Sequence, residues 1–143
     1  AQSFHWFDKE KFKIECNRIL KQDGYVALIW NTRDMSSESV KELSNLTSKN
    51  CPKFVGFNGG TRVNEEMISE FFDGKYGYFE FDNPLEYDEK KFIERCLSSS
   101  YSPKECDENY SPYVANCKEF FEKFQKDGIY KMPNVSVLYI GKT

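Results

Sequence analysis

The residues in this chain with most chemistry to offer are one histidine, a short polar cluster behind a tryptophan, and five scattered cysteines. His5 is the only histidine in 143 residues, so any imidazole role, as general base or in orienting a hydroxyl, falls to it. Trp30, Asn31, Arg33 and Asp34 close an apolar run. Together they offer an aromatic plate, an amide and a guanidinium, a set suited to a carboxylate or phosphate. The competing reading is a strand end followed by a solvated turn. Cys16, Cys51, Cys96, Cys106 and Cys117 are odd in number, widely spaced and without a C-x-x-C pair. With a single histidine they give no local zinc set, so no metal is expected. Free thiols in a reducing cytoplasm are the expectation, with Cys106, in a polar stretch, the exposed one.

Hydropathy spacing supplies the elements that must hold these groups. Asp8 is a good N-cap for a helix of about four turns, with Phe12, Cys16, Ile19 and Leu20 as its buried stripe. Asp23-Gly24 ends it. Residues 25–30 are nearly all apolar, which predicts a strand covered on both faces. Val40, Leu43 and Leu46 mark a second helix. A short helix over 64–72 carries Met67, Ile68, Phe71 and Phe72 and stops at Asp73-Gly74. Residues 76–81 alternate as a strand does and Asn83-Pro84 breaks them. Asp88 caps a helix through Leu97 with Phe92 and Cys96 inward. Residues 113–125 form the longest helix, with Val114, Cys117, Phe120, Phe121 and Phe124 inward. Residues 135–140 form the last strand. Gly59-Gly60, the only glycine pair, reads as a loop and opens no phosphate-cradling pattern.

The run Ala1-Gln2-Ser3-Phe4-His5-Trp6-Phe7-Asp8, the helix end Arg18-Ile-Leu-Lys-Gln-Asp-Gly24 and the apolar Tyr25–Asn31 follow one another in a recognisable order. This pattern resembles the class I S-adenosylmethionine-dependent methyltransferases of the small-molecule type. Those proteins carry Ala-x-x-Phe-His-Trp-Phe-Asp after the fourth sheet strand, then a helix ending in Arg-x-Leu-Lys-Pro-Gly-Gly, then a hydrophobic fifth strand. Here Gln22-Asp23 stands where the family has Pro-Gly. The resemblance implies an α/β, partial Rossmann-like fold, the carboxyl-terminal half of a methyltransferase domain. A small mixed three-stranded sheet with flanking helices would then have residues 25–31, 135–141 and 76–82 as fifth, seventh and sixth strands, in that spatial order. Segments 32–75 and 98–134 would be lid connections within a single domain, 1–143.

The resemblance also implies roles. Trp6 would line the pocket of the cationic sulfonium, whose charge an aromatic face attracts. Gln2 would sit where the strand end approaches the methionine part of the cofactor. His5 would orient or deprotonate the acceptor. Trp30, Asn31, Arg33 and Tyr101 would form substrate wall. The structural alternatives are that Trp6 packs the helix on the sheet and that His5 bonds a loop carbonyl. The family's glycine-rich loop and ribose-binding acid have no counterpart in the chain, so this chain alone is expected to hold no S-adenosylmethionine and to be inactive. Two other readings are a non-catalytic binding or assembly module and part of another doubly wound nucleotide-binding enzyme.

Composition narrows the partners. Net charge is −3, with 20 Lys and Arg against 23 Asp and Glu and no basic stripe, which gives no support to nucleic-acid binding. No apolar run approaches membrane-spanning length, and a cytoplasmic location is expected. Aromatics make up 17% of the chain, enough to dominate one modest core. The apolar strand at 25–31, without its preceding neighbour, is expected to leave an open edge and uncovered faces, and hence to drive homodimerisation.

Overall fold

The computed structural model describes residues 3–57 and 64–143. Gln2 and the Gly59-Gly60 pair lie outside the described residues. The elements in chain order are a 3-10 turn at Phe4–Trp6, α1 (Lys9–Ile19), β1 (Val26–Arg33), α2 (Glu38–Asn50), α3 (Glu65–Phe71), β2 (Tyr76–Asp82), β3 (Leu85–Tyr87), α4 (Glu89–Leu97), α5 (Tyr110–Phe124), β4 (Tyr130–Met132) and β5 (Asn134–Gly141). They form two compact units. The first takes 3–32, 64–82 and 135–143; the second takes 33–57 and 83–134. The sequence expected one domain with connections at 32–75 and 98–134. In the structure α3 packs with the first unit, and residues 83–97 join the second.

The first unit is built on a mixed α/β plan. Its sheet has the order β1-β5-β2. β5 runs antiparallel to β2, from Tyr76↔Gly141 to Asp82↔Val135. Asp8 caps α1 by accepting from the Lys11 amide at 3.1 Å, satisfying one of the helix's free amides. Phe4, Cys16, Val26, Leu28, Trp30, Ile68, Phe71 and Phe72 make the core. Phe4 meets Phe71 edge-on at 4.8 Å, and Phe12 stacks on Phe71 at 5.6 Å.

Two expectations fail here. β1 is covered on one face only: Val26, Leu28 and Trp30 are buried while Ala27, Ile29 and Asn31 are exposed. Its apolar composition suits burial on both sides, but no described element lies over the second side. Ile19 is exposed as well. The helix ends there, and Leu20, one residue on, packs against the core in its place.

The second unit is three helices and a ribbon. β3 and β4 pair antiparallel, Leu85↔Met132 to Tyr87↔Tyr130. The ribbon was not foreseen, because two three-residue strands so far apart in sequence carry no periodic signal. Asp88 caps α4 by accepting from the Lys91 amide at 2.8 Å. Phe92, fully buried, stacks on Phe120 at 5.4 Å and meets Tyr130 edge-on at 5.4 Å. The buried Tyr130 hydroxyl donates to Ser39 Oγ at 3.0 Å, so its polar atom is satisfied in the core. The chain enters β4 through Asp127-Gly128, both at positive φ (53° and 77°), where Lys126 and Ile129 pair across a tight turn.

Candidate functional site

Arg33, the last residue of β1, opens the second unit's narrow cleft. Arg33, Phe57, Arg95, Cys96, Ser99, Tyr101 and Tyr113 are among its walls. Local turns set these positions. Asp34 accepts from the Ser36 amide at 2.9 Å and the Ser36 hydroxyl at 2.6 Å, folding the chain tightly after Arg33. These hydrogen bonds, the Ser36 hydroxyl first, hold the Asp34 carboxyl below its ordinary pKa. On the other wall α4 ends at Leu97. Ser102 then donates to the Cys96 carbonyl at 2.6 Å, turning Tyr101 back over the cleft. The Tyr101 ring meets Phe54 edge-on at 4.9 Å, and Phe54 meets Phe57 at 5.0 Å.

The Arg33 guanidinium lies 3.8 Å above the centre of the Phe57 ring. A planar cation on an aromatic face is favourable, more so when water is excluded. Its Nε is buried without a hydrogen-bond partner. Burial, and then the charge of Arg95, push the Arg33 pKa down. Arg95 donates to Ser98 Oγ at 3.2 Å. Among the described residues no carboxylate pairs with either guanidinium. Two like charges on one wall with no acid between them favour an anion. The space is small, about 10 Å³, room for one water-sized group. Larger clefts exist, about 520 Å³ between α2 and α5 and about 470 Å³ around Tyr25 and Phe72, but both are open grooves.

The sequence-predicted cluster therefore divides. Arg33 and Tyr101 line one cleft. Trp30, expected as substrate wall, is a core residue, 4% exposed, with edge-on contacts to Phe4 at 6.2 Å and Tyr139 at 5.9 Å. Strand alternation turns it to the buried face, where its Nε1 has no partner. Asn31 is on the opposite face and accepts from Ser136 Oγ at 2.6 Å. Asp34 serves its turn.

His5 and Trp6 lie in the 3-10 turn of the first unit, their rings 4.9 Å apart. Trp6 is 78% exposed and so does not pack the helix onto the sheet. His5 Nδ1 is buried with no partner, so it does not bond a loop carbonyl through that atom. Arg95, Phe57 and Ser99 were not foreseen. The available signal was that Arg95 directly precedes the inward Cys96 and flanks the turn holding Tyr101.

The chain is 40% identical over 92 residues to an uncharacterized methyltransferase of Schizosaccharomyces pombe, a match covering 64% of this chain and 34% of that protein. Its curated relatives are named methyltransferases. A second S. pombe protein, an uncharacterized methyltransferase-like one, is 38% identical over 60 residues, 40% of this chain and 23% of its own length. An uncharacterized methyltransferase of Mycobacterium bovis is 37% identical over 49 residues, 34% of this chain and 20% of its own length. The matches thus span about a third or less of these relatives. No family model matches the chain, and no solved structure does. No helix among the described residues is long and apolar enough to cross a membrane.

Proposed function

We propose that this chain is the carboxyl-terminal part of an S-adenosylmethionine-dependent methyltransferase acting on a small anionic acceptor. The observation that carries the reading is the similarity to proteins named methyltransferases over 92 residues. The sheet order β1-β5-β2 supports it, with its strands read as the fifth, seventh and sixth of that fold. Residues of the first unit fit the cofactor's chemistry. Trp6 presents a free aromatic face suited to a sulfonium, and His5 keeps an unpartnered ring nitrogen. When bound, S-adenosylmethionine supplies an electrophilic methyl group. His5, beside Trp6 in the same turn, carries the chain's one imidazole and would orient groups of that unit around the cofactor. Within the second unit, Arg33 and Arg95 would hold an anionic group such as a carboxylate. The cleft's size suits a carboxylate oxygen at its mouth rather than a whole acceptor buried inside.

The test is kinetic, on the longer protein that contains this chain. Arg33→Gln should raise KM for an anionic acceptor by about tenfold, the loss of one charge-assisted hydrogen bond, and leave S-adenosylmethionine affinity nearly unchanged. Equal loss of both would remove Arg33 from acceptor binding.

A second reading, self-association of the isolated chain, rests on a separate observation. β1 is an edge of its sheet. Ile29, Phe79 and Phe81 are exposed on the sheet face that also carries Asn31 and Ser136. We propose a two-fold dimer in which this face, with Ile29 of β1 in it, packs on its counterpart.

A further inference from the structure

We propose that Cys96 is a peroxide-reactive thiol and that Cys117 resolves its oxidation as a disulfide joining α4 to α5. This inference is independent of the methyltransferase reading. Cys96 is on α4 and Cys117 on α5, helices packed in one core in which both thiols are buried. Cys96 is only 8% exposed, yet it lines the narrow cleft between Arg33 and Arg95. That cleft has room for about one water. Hydrogen peroxide, with two heavy atoms, is the smallest peroxide and fits the mouth of so narrow a cleft better than bulkier oxidants do.

The surroundings select Cys96 among the five thiols. A thiolate is the attacking species, and nearby cations raise its share. The Cys117 S–H donated to Cys96, then the Arg33 and Arg95 charges, draw the Cys96 thiol below its ordinary pKa against the opposing effect of burial. The same hydrogen bond, with burial, keeps the Cys117 thiol protonated. Burial pushes the Cys16 and Cys51 thiols up. Cys106 is exposed, but its Sγ donates to the Asp107 carboxylate at 3.9 Å. Among the five thiols, only Cys96 combines two guanidiniums and a cleft with a second thiol in the same core cluster.

The oxidant is hydrogen peroxide. The Cys96 thiolate attacks one peroxide oxygen; the S–O bond forms as the O–O bond breaks, and hydroxide leaves, taking up the thiol's proton as water. The sulfur is now a sulfenic acid, oxidised by two electrons. Cys117 sulfur then attacks Cys96 sulfur. The S–S bond forms, the S–O bond breaks, and the hydroxyl departs with the Cys117 proton as a second water. Two thiols and one peroxide give one disulfide and two waters, and a dithiol reductant reverses the product.

The experiment treats the folded Cys106→Ser protein with hydrogen peroxide, quenches it, alkylates under denaturing conditions and maps peptides by mass spectrometry. The expected product is a reductant-sensitive cross-link between the peptides holding Cys96 and Cys117, with Cys16 and Cys51 alkylated. Cys117→Ser, oxidised while folded and then denatured in the presence of dimedone, should instead trap the Cys96 sulfenic acid as a dimedone adduct. Arg33→Gln and Arg95→Gln should each slow Cys96 oxidation, by about tenfold for each unit of pKa regained. Arg33→Lys, which keeps the charge if the glutamine variant does not fold, should hold the rate near that of the parent. Oxidation falling first on Cys16 or Cys51, an unreacted Cys96 in both cysteine backgrounds, or a rate indifferent to both arginines would overturn the proposal.

Discussion

The two units bury their aromatic side chains to different extents. In the second, Phe92, Tyr113, Phe120, Phe121 and Tyr130 are enclosed by α2, α4, α5 and the β3–β4 ribbon. In the first, the core covers one face of a three-stranded sheet, and Trp6, Tyr25, Ile29, Phe79 and Phe81 remain exposed. Of the twelve large apolar residues exposed among the described ones, nine belong to the first unit. Scattered single exposures need no explanation, but a sheet face carrying several marks a surface built to be covered. The second unit has the enclosure of a core that stands by itself. The first leaves one sheet face open, and the regions shared with the curated relatives span about a third or less of those proteins.

The contrast can be broken most forcefully in the second unit. Phe92→Ala should cost about 3–5 kcal/mol, the range for emptying a large aromatic site in a packed core, read as a drop in urea midpoint. Phe79→Ala, on the exposed face, should cost well under about 1 kcal/mol. If the two losses were equal, the enclosed-versus-open distinction would fail. The next effect concerns association. Ile29→Lys with Phe79→Lys should convert the self-associating chain to a monomer by light scattering while leaving its unfolding midpoint nearly unchanged; a monomeric unsubstituted chain at high concentration would remove the dimer proposal. A smaller effect comes from the cap of α4. The Lys91 backbone amide, chiefly, holds the Asp88 carboxyl below its ordinary pKa. A carboxyl depressed in the folded state stabilises above its unfolded pKa and loses that contribution as pH falls through the folded one. Asp88→Ala should therefore lower thermal stability at neutral pH, and the gap to the parent should close in acid.

Much of the local structure was legible because caps and periodicity are local. Asp8 and Asp88 stand where the helices start, Cys96 and Phe92 face inward at helical spacing, and residues 76–82 and 135–141 form strands. What escaped depends on distant partners. β3 and β4 are three residues each and define one another only by pairing. The uniform apolarity of 25–30 gave a strand but misjudged its coverage, because composition reports what a strand is suited to bury and not what is present to bury it. Trp30 and Arg33 are three residues apart, yet one enters a core and the other a cleft. Nothing in the spacing announced that Phe57 would lie beneath Arg33 or that Arg95 would share its wall.

We propose that this chain is part of a longer S-adenosylmethionine-dependent methyltransferase, with Trp6 at the cofactor. Calorimetric titration with S-adenosylmethionine tests it most directly, on three samples: the isolated chain, the longer protein that contains it, and that protein carrying Trp6→Ala. The account predicts micromolar binding, about −8 kcal/mol, by the longer protein, at least tenfold weaker binding by the Trp6→Ala variant with its fold intact, and no measurable binding by the isolated chain. Absence of binding by the longer protein, or micromolar binding by the isolated chain, would contradict it.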